Sequence, residues 1–574
     1  MTEKVPAQRP DQELASQGTT PAPRELVVIM AADAGVRVTP EGVSSATGGD
    51  LSTLASVIVE ERLDLEPLFG VPEERQIARA AELTAAGAAD VPDLAVYYRA
   101  RAEDARLDEI ADRLRQLPEV DAAYVKPGAE PASTGTLPVR SEQQPAASPD
   151  FRSRQGYLGA PPAGVHALWA HSQEGGQGTG VRIIDVEGAW RFSHEDLLAN
   201  AMGLVVGTAS DDLGWRNHGT AVAGEIGADD NGTGVVGIAP AAAFGGASIF
   251  GDVGSAGAIQ QAADRLHAGD ILLIELHRPG PRFGFAPRDD QRGYIAIEWF
   301  PDDLAALQYA RARGVIVVEA AGNGGEDLDD PLYDTRPAAF PSSWRNPFNP
   351  ANPGSGTVVC GAGAPPPGTH GRDHGPDRSR LAFSNHGRRV DSQGWGREVT
   401  TTGGRGSQPG DLQGGNDEDV WYVDTFSGTS SASPIVVGAL ASIQGVLRAR
   451  GQALLTPAGA VEVLRATGSP QADAPDRPAS QRIGNRPDIR AALEHLAPQE
   501  EAEDAVATAY NDEAVPLPAG PPRLWLLAGG AWRVLEKAGH DERDLVQRAF
   551  LGTGSRVHVW YRGTEIVGLS VSGE

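Results

Sequence analysis

Val181-Arg-Ile-Ile-Asp185 is a short apolar run that stops at a carboxylate. Three runs of the same kind follow: Ile271-Leu-Leu-Ile274, Val315-Ile-Val-Val318 and Thr357-Val-Val-Cys360. Asp302 to Arg313 and Ala432 to Arg448 carry apolar residues at helical spacing. Apolar runs this short, alternating with helices, predict the buried strands of a parallel sheet flanked by helices, an α/β fold over residues 151–498. In such a sheet, ligands and reacting groups gather at the carboxyl ends of the strands, which makes Asp185 a candidate. Taken alone, an aspartate at a strand end more often caps the next turn.

Two more segments bear on that aspartate. In Asn217-His-Gly-Thr-Ala-Val-Ala-Gly224, His218 stands where a helix is predicted to begin, among residues small enough for close packing. In Phe426-Ser-Gly-Thr-Ser-Ser-Ala-Ser-Pro434, Ser430 falls at the start of the helix that carries Val436, Val437, Leu440, Ile443 and Leu447. A serine there can be a helix cap. It can also be a nucleophile, because free backbone N–H groups at a helix start stabilise a developing oxyanion. Asp…His…Ser is one of the chain orders in which a catalytic triad occurs.

At these residues the chain resembles the subtilisin-like serine proteases (subtilases, peptidase S8). His218-Gly-Thr-Ala-Val-Ala-Gly-Glu-Ile-Gly through Gly237-Ile-Ala-Pro240 is similar to the family's histidine motif, and Gly428-Thr-Ser-Ser-Ala-Ser-Pro434 to its serine motif. The aspartate motif departs: the family's Asp-Ser-Gly or Asp-Thr-Gly is here Asp185-Val-Glu-Gly. His194-Glu-Asp-Leu197 resembles the family's His-Pro-Asp-Leu, and Ala321-Gly-Asn323 its oxyanion segment.

The resemblance implies a serine endopeptidase acting on polypeptides. Ser430 would attack, His218 would move the proton, Asp185 would orient His218, and Asn323 with the Ser430 N–H would hold the oxyanion. Glu275-Leu-His277 stands where the family has Ser-Leu-Gly. Leu276 is therefore expected to pair with substrate backbone and Glu275 to lie near the primary pocket, either selecting Arg or Lys or pairing with Arg278 or another base. The loop Asp229-Asp-Asn-Gly-Thr-Gly-Val235 resembles the family's calcium loop, with Asp196 and Asn231 as side-chain ligands of a structural calcium. The acidic stretch Glu326 to Asp330 is either a second calcium loop or a solvated one. Insertion-like stretches run from Pro279 to Phe300 and from Gly325 to Pro350. Two other readings stand beside the protease. One is an inactive scaffold used for binding. The other is an esterase, for which a Gly-x-Ser-x-Gly elbow is lacking around Ser430.

Outside 151–498, residues 1–24 read as a disordered tail. Residues 25–127 read as an α+β module: strands at Glu25–Met30, Asp93–Ala100 and Ala123–Val125, and a helix through Leu107, Ile110, Ala111, Leu114 and Leu117. This module resembles the family's inhibitory propeptide, which would make the chain a zymogen. Residues 128–150, rich in Pro, Ser and Gln, read as an exposed, protease-sensitive linker. Residues 499–522, acidic and then Pro-rich, read as a second linker, and 523–574 as a small β-rich appendage.

Lys and Arg number 49 against 77 Asp and Glu, a formal charge of −28. That balance argues against nucleic acid or an anionic membrane surface as partner. The single cysteine, Cys360, rules out an intramolecular disulfide and reads as a buried structural thiol. No run reaches the 18 or so apolar residues of a membrane span, and the polar N-terminus shows no secretory signal, so a cytoplasmic protein or leaderless export is expected.

Overall fold

The computed structural model describes residues 19–39, 42–133 and 147–497, and in the C-terminal region 503–506, 508–513, 523–528, 531–536, 546–547, 550, 555–562 and 565–573. The chain forms two compact units, Met1–His495 and Leu496–Glu574.

The first unit opens with strand β1 (Glu25–Met30), a short hairpin β2 (Val36–Thr39) and β3 (Gly42–Ser45), helix α1 (Ser52–Glu61), β4 (Asp64–Pro67), helix α2 (Glu73–Ala85), β5 (Tyr97–Arg101), helix α3 (Leu107–Leu114) and β6 (Val120–Lys126). Four of these strands form an antiparallel sheet in the order β4-β5-β1-β6. β1 is apolar at nearly every position because both its faces are buried. Leu26, Val28 and Met30 pack with Ile110 and Leu114 of α3. The alternate residues Val27 and Ile29, with Tyr124, join the core that holds Ala258, Ile259 and Ala262. Order begins before Glu25: within the predicted tail, Thr20 N–H donates to Asp212 Oδ2 at 3.1 Å and Ala22 N–H to Ala129 O at 2.9 Å. Residues 1–18 lie outside the described residues.

After β7 (Glu130–Pro131) come β8 (Arg182–Glu187), β9 (Ala201–Val206), β10 (Ala243–Ser248), β11 (Ile271–Ile274), β12 (Leu276–Pro279), β13 (Tyr294–Ala296), β14 (Ile316–Ala320), β15 (Val358–Gly363), β16 (Ser392–Trp395), β17 (Val399–Thr402) and β18 (Tyr422–Phe426). The helices among and after them are α4 (Ala167–Ala170), α5 (Leu213–Gly227), α6 (Gly254–Ala263), α7 (Pro301–Ala312), α8 (Ser433–Ala449), α9 (Pro457–Ala466) and α10 (Ile489–Leu496). Seven strands form one parallel sheet, β16-β15-β14-β11-β8-β10-β9. Helices α5 and α8 pack together, as do α6 and α7. The α/β expectation holds, and all four quoted apolar runs are strands. Two local readings change. β8 does not stop at Asp185 but continues to Glu187, and α5 begins at Leu213, capped by Asp212, so His218 sits in its second turn. Cys360 is buried in β15. No helix among the described residues is long and apolar enough to cross a membrane.

The second unit is a six-stranded sheet, β19 (Glu503–Val506), β20 (Ala509–Glu513), β21 (Arg523–Ala528), β22 (Ala531–Glu536), β23 (Ser555–Arg562) and β24 (Glu565–Gly573), in the order β19-β23-β24-β22-β21-β20. Leu524, Leu526, Val557, Val559 and Ile566 form its core. The predicted linker 499–522 is corrected here, because β19 and β20 lie within it. Both are edge strands, and an edge tolerates the polar composition that reads as linker. The Pro-rich stretch 516–522 lies outside the described residues.

Candidate active site

The carboxyl end of β8 carries two acids on one face. Residues two apart on a strand point the same way, so Asp185 and Glu187 lie side by side, both fully buried. Glu187 Oε2 is 2.8 Å from His218 Nδ1. Asp185 instead accepts the indole N–H of Trp190 through Oδ2 at 2.8 Å. The expected pairing of Asp185 with His218 is therefore corrected: the carboxylate on the imidazole is Glu187, because β8 runs two residues further than the apolar pattern implied.

Burial pushes Asp185 well above the ordinary carboxylate range, and the neighbouring Glu187 adds to the shift. Glu187 is lifted by burial to about 8 and is drawn partly back by a hydrogen bond from Asp185. Two adjacent buried carboxylates do not ionise together, so Asp185 keeps its proton and Glu187 becomes the anion facing His218 only as pH rises through about 8. A proton between them also serves Asp185 Oδ1 and Glu187 Oε1, which have no other partner. Burial holds the His218 imidazolium down, to about 4, against the pull of Asp185. The imidazole is thus neutral at neutral pH and free to take a proton. Its Nε2 is buried without a partner, and its ring lies edge-on to Phe426.

Ser430 sits in the turn before α8, and its Oγ is buried without a hydrogen-bond partner. Its N–H donates to Ala132 O at 3.0 Å. Asn323 follows β14. Its Oδ1 accepts from Thr429 N and Oγ1, each at 3.0 Å, and its Nδ2 donates to Gln291 Oε1 at 3.3 Å. The serine loop thus fixes the amide's oxygen end, while its nitrogen end is turned toward Gln291.

Glu275 is fully buried. Its Oε1 accepts the Ser433 hydroxyl at 2.5 Å, and its carboxyl faces Ser430 without completing a second bond. Burial, with Asp185 and Glu187 nearby, raises its pKa strongly. It does not pair with Arg278, which reaches Ser255 Oγ at 2.7 Å and Asp303 at 3.4 Å. The two expected roles for the Glu275 side chain are both replaced: it lies beneath the serine loop as a neutral hydrogen-bonding acid.

The segment predicted to be an exposed linker enters this site. β7 pairs antiparallel with β12, Pro131 opposite Leu276 and Glu130 opposite His277. Ala132 N–H donates to Glu275 O at 3.3 Å. Ser133 bridges Gly428, and its hydroxyl donates to Ser427 O at 2.9 Å. Ala129 and Ala132 are wholly buried. Gly428 has φ +114°, and a Cβ there would lie 2.3 Å from Ala132 O, so only glycine admits the segment. Leu276 pairs with the backbone of this segment of the chain itself. The compositional signal misled because Gly-Ala-Glu-Pro-Ala lacks an apolar period: its strand is held by pairing, not by burying a hydrophobic face. Residues 134–146 lie outside the described residues.

The family model for the subtilase family matches residues 203–485, which span His218, Asn323 and Ser430 but begin beyond β8. Residues 203–485 thus carry a subtilase domain, and the chain is similar to subtilisin-like serine proteases. An intracellular serine protease of Paenibacillus polymyxa is 28% identical to this subtilisin-like chain over 308 residues, covering 50% of this chain and 73% of that one. Subtilisin E of Bacillus subtilis is 25% identical, covering 50% and 62% respectively. Among solved structures, fervidolysin from Fervidobacterium pennivorans is 17% identical with a TM-score of 0.47, covering 96% of this chain and 71% of that one.

As arranged, Asp196 and Asn231 do not fit a calcium site. Asp196 Oδ1 accepts from Asn231 Nδ2 at 2.8 Å, and its Oδ2 from Val235 N–H at 2.8 Å and Tyr422 Oη at 3.0 Å. Asn231 Oδ1 is taken by the amide and hydroxyl of Thr233, both at 2.9 Å. Each side-chain oxygen of this pair already accepts a hydrogen bond. The stretch Glu326 to Asp330 is likewise engaged, with Arg282 bridging Glu326 and Asp330.

Proposed function

We propose that this protein is a serine endopeptidase in which Glu187, His218 and Ser430 form the triad. Ser430 Oγ attacks the peptide carbonyl while His218 Nε2 takes its proton and then passes it to the leaving amine. Glu187 fixes the tautomer through Nδ1 and stabilises the imidazolium, the role an aspartate fills in the standard triad. Asn323 Nδ2 and the Ser430 N–H stabilise the oxyanion. Polypeptides are the substrate class. The module of residues 25–127, with the segment after it, blocks the site until it is cut away.

One observation supports this reading above the others. A stretch of extended backbone lies across β12 with its Ala132 carbonyl on the Ser430 N–H, as a substrate carbonyl would, while Ser430 Oγ and His218 Nε2 are each buried without a hydrogen-bond partner. A fluorophosphonate should label Ser430, and His218→Ala should abolish the label. Casein should be hydrolysed faster than a simple ester. A matured protein that takes no label and cuts no casein would be a binding scaffold.

A further inference from the structure

The insertion from Pro279 to Phe300 closes over Glu130, the residue two positions before Ala132. Although charged, Glu130 is only 6% exposed. Tyr294, on β13, donates its hydroxyl to Glu130 Oε1 at 2.7 Å. The acceptor side of that hydroxyl is already used, since Arg288 N–H donates to it at 3.1 Å. Gln291 also stands near Glu130 and favours its charged form, and its own oxygen is committed to Asn323 Nδ2 at 3.3 Å. Gln291 is buried at a left-handed φ of 52°, a conformation that costs a non-glycine residue about 1 kcal/mol or more and is kept where it aims a side chain. The two groups facing residue 130 therefore present N–H and O–H donors, with their acceptor ends engaged elsewhere.

Resting on the protease reading above, we propose that this site selects peptides with a glutamate two residues before the one whose carbonyl is attacked, read by Tyr294 and Gln291, and that Ala132–Ser133 is the bond the chain cuts in itself. A carboxylate accepts from both donors. A glutamine turns its NH₂ toward that of Gln291 and leaves a buried donor unpaired, and a lysine leaves both unpaired. In the self-cut, Ser430 Oγ bonds to the Ala132 carbonyl carbon, and the Ala132–Ser133 C–N bond breaks. The Ser133 nitrogen leaves with the proton from His218, and water then hydrolyses the ester to give a carboxyl group at Ala132. Gln291 stands near both Glu130 and Asn323, so an acidic residue at this position also steadies the oxyanion donor.

The test is to refold the full chain as wild type, Glu130→Gln and Glu130→Lys and to follow the new N-terminus by mass spectrometry. Wild type should begin at Ser133. The Gln variant should do so roughly tenfold more slowly, and the Lys variant about a hundredfold more slowly. Ser430→Ala should not be cut. With matured enzyme, quenched peptides spanning residues 128–135 with Glu or Gln at position 130 should show the same ratio. Tyr294→Phe should narrow that ratio to under about threefold, and Gln291→Ala gives a second reading if the Phe variant does not fold. Cleavage at another bond, or equal rates for the three chains, overturns the proposal and leaves the protease reading intact. Intact chains that still cut casein overturn the self-cleavage. Intact chains that cut nothing overturn the protease reading itself.

Discussion

Glu187 Oε2 lies 2.8 Å from Nδ1 of His218, two residues beyond the aspartate that the sequence motif puts forward. The two acids can be told apart by amide substitution. Glu187→Gln should lower kcat about 10³–10⁴-fold, as loss of the orienting carboxylate does in other triads. Asp185→Asn keeps a donor toward Glu187 and should cost less than about tenfold. Steady-state kinetics on a peptide substrate decide it, and the reverse ranking would restore Asp185.

The same pair sets a pH dependence of stability. Glu187 has its pKa raised from 4.5 to about 8 by burial, so the folded state holds the proton more tightly than the unfolded chain does. That contribution is full below 4.5 and is lost as pH rises through about 8. His218, lowered from 6.5 to about 4, acts in the opposite sense as pH falls below 6.5, and it is common to both proteins compared. In a Ser430→Ala background, Glu187→Gln should therefore lose less stability between about pH 5 and pH 8. The difference should reach at most about 1.4 kcal/mol per pH unit in urea unfolding.

Asn323→Ala removes the side-chain donor proposed for the oxyanion and should reduce kcat by roughly 10²–10³, with KM little changed. The same substitution frees Thr429 N–H, so the loss should be read alongside thermal unfolding. A kcat that stays within about twofold would exclude the role.

Lys126 is wholly buried, with its ammonium on Asp302, on Asp303 at 3.2 Å, on Ser255 Oγ at 3.0 Å and on Glu25 at 3.1 Å. It joins the N-terminal sheet to α6 and α7. Lys126→Met strands these acids and should destabilise the Ser430→Ala chain by about 3–5 kcal/mol in urea unfolding.

Because the oxygens of Asp196 and Asn231 are already engaged, EDTA should shift the unfolding temperature by less than about 1 °C, and Asn231→Ala should leave any calcium dependence unchanged. A large calcium-dependent rise in Tm that Asn231→Ala abolishes would show that the loop rearranges around the ion.

The sequence by itself determined the α/β class, because apolar periodicity is a local property, and it put forward His218, Asn323 and Ser430 through motifs that resemble those of the subtilases. It also contained the sign that β8 offers two acids, since residues two apart on a strand share a face. Only the tertiary structure decided which of them meets His218, because that depends on where the strand ends relative to α5. Only the tertiary structure seated Ala129 to Ser133 in the site, because a strand that adds to an existing edge draws its stability from backbone pairing and needs no apolar pattern of its own. The acidic subsite was equally hidden: Tyr294, Gln291 and Glu130 are far apart in the chain, and only folding turns the donor ends of the first two toward the third.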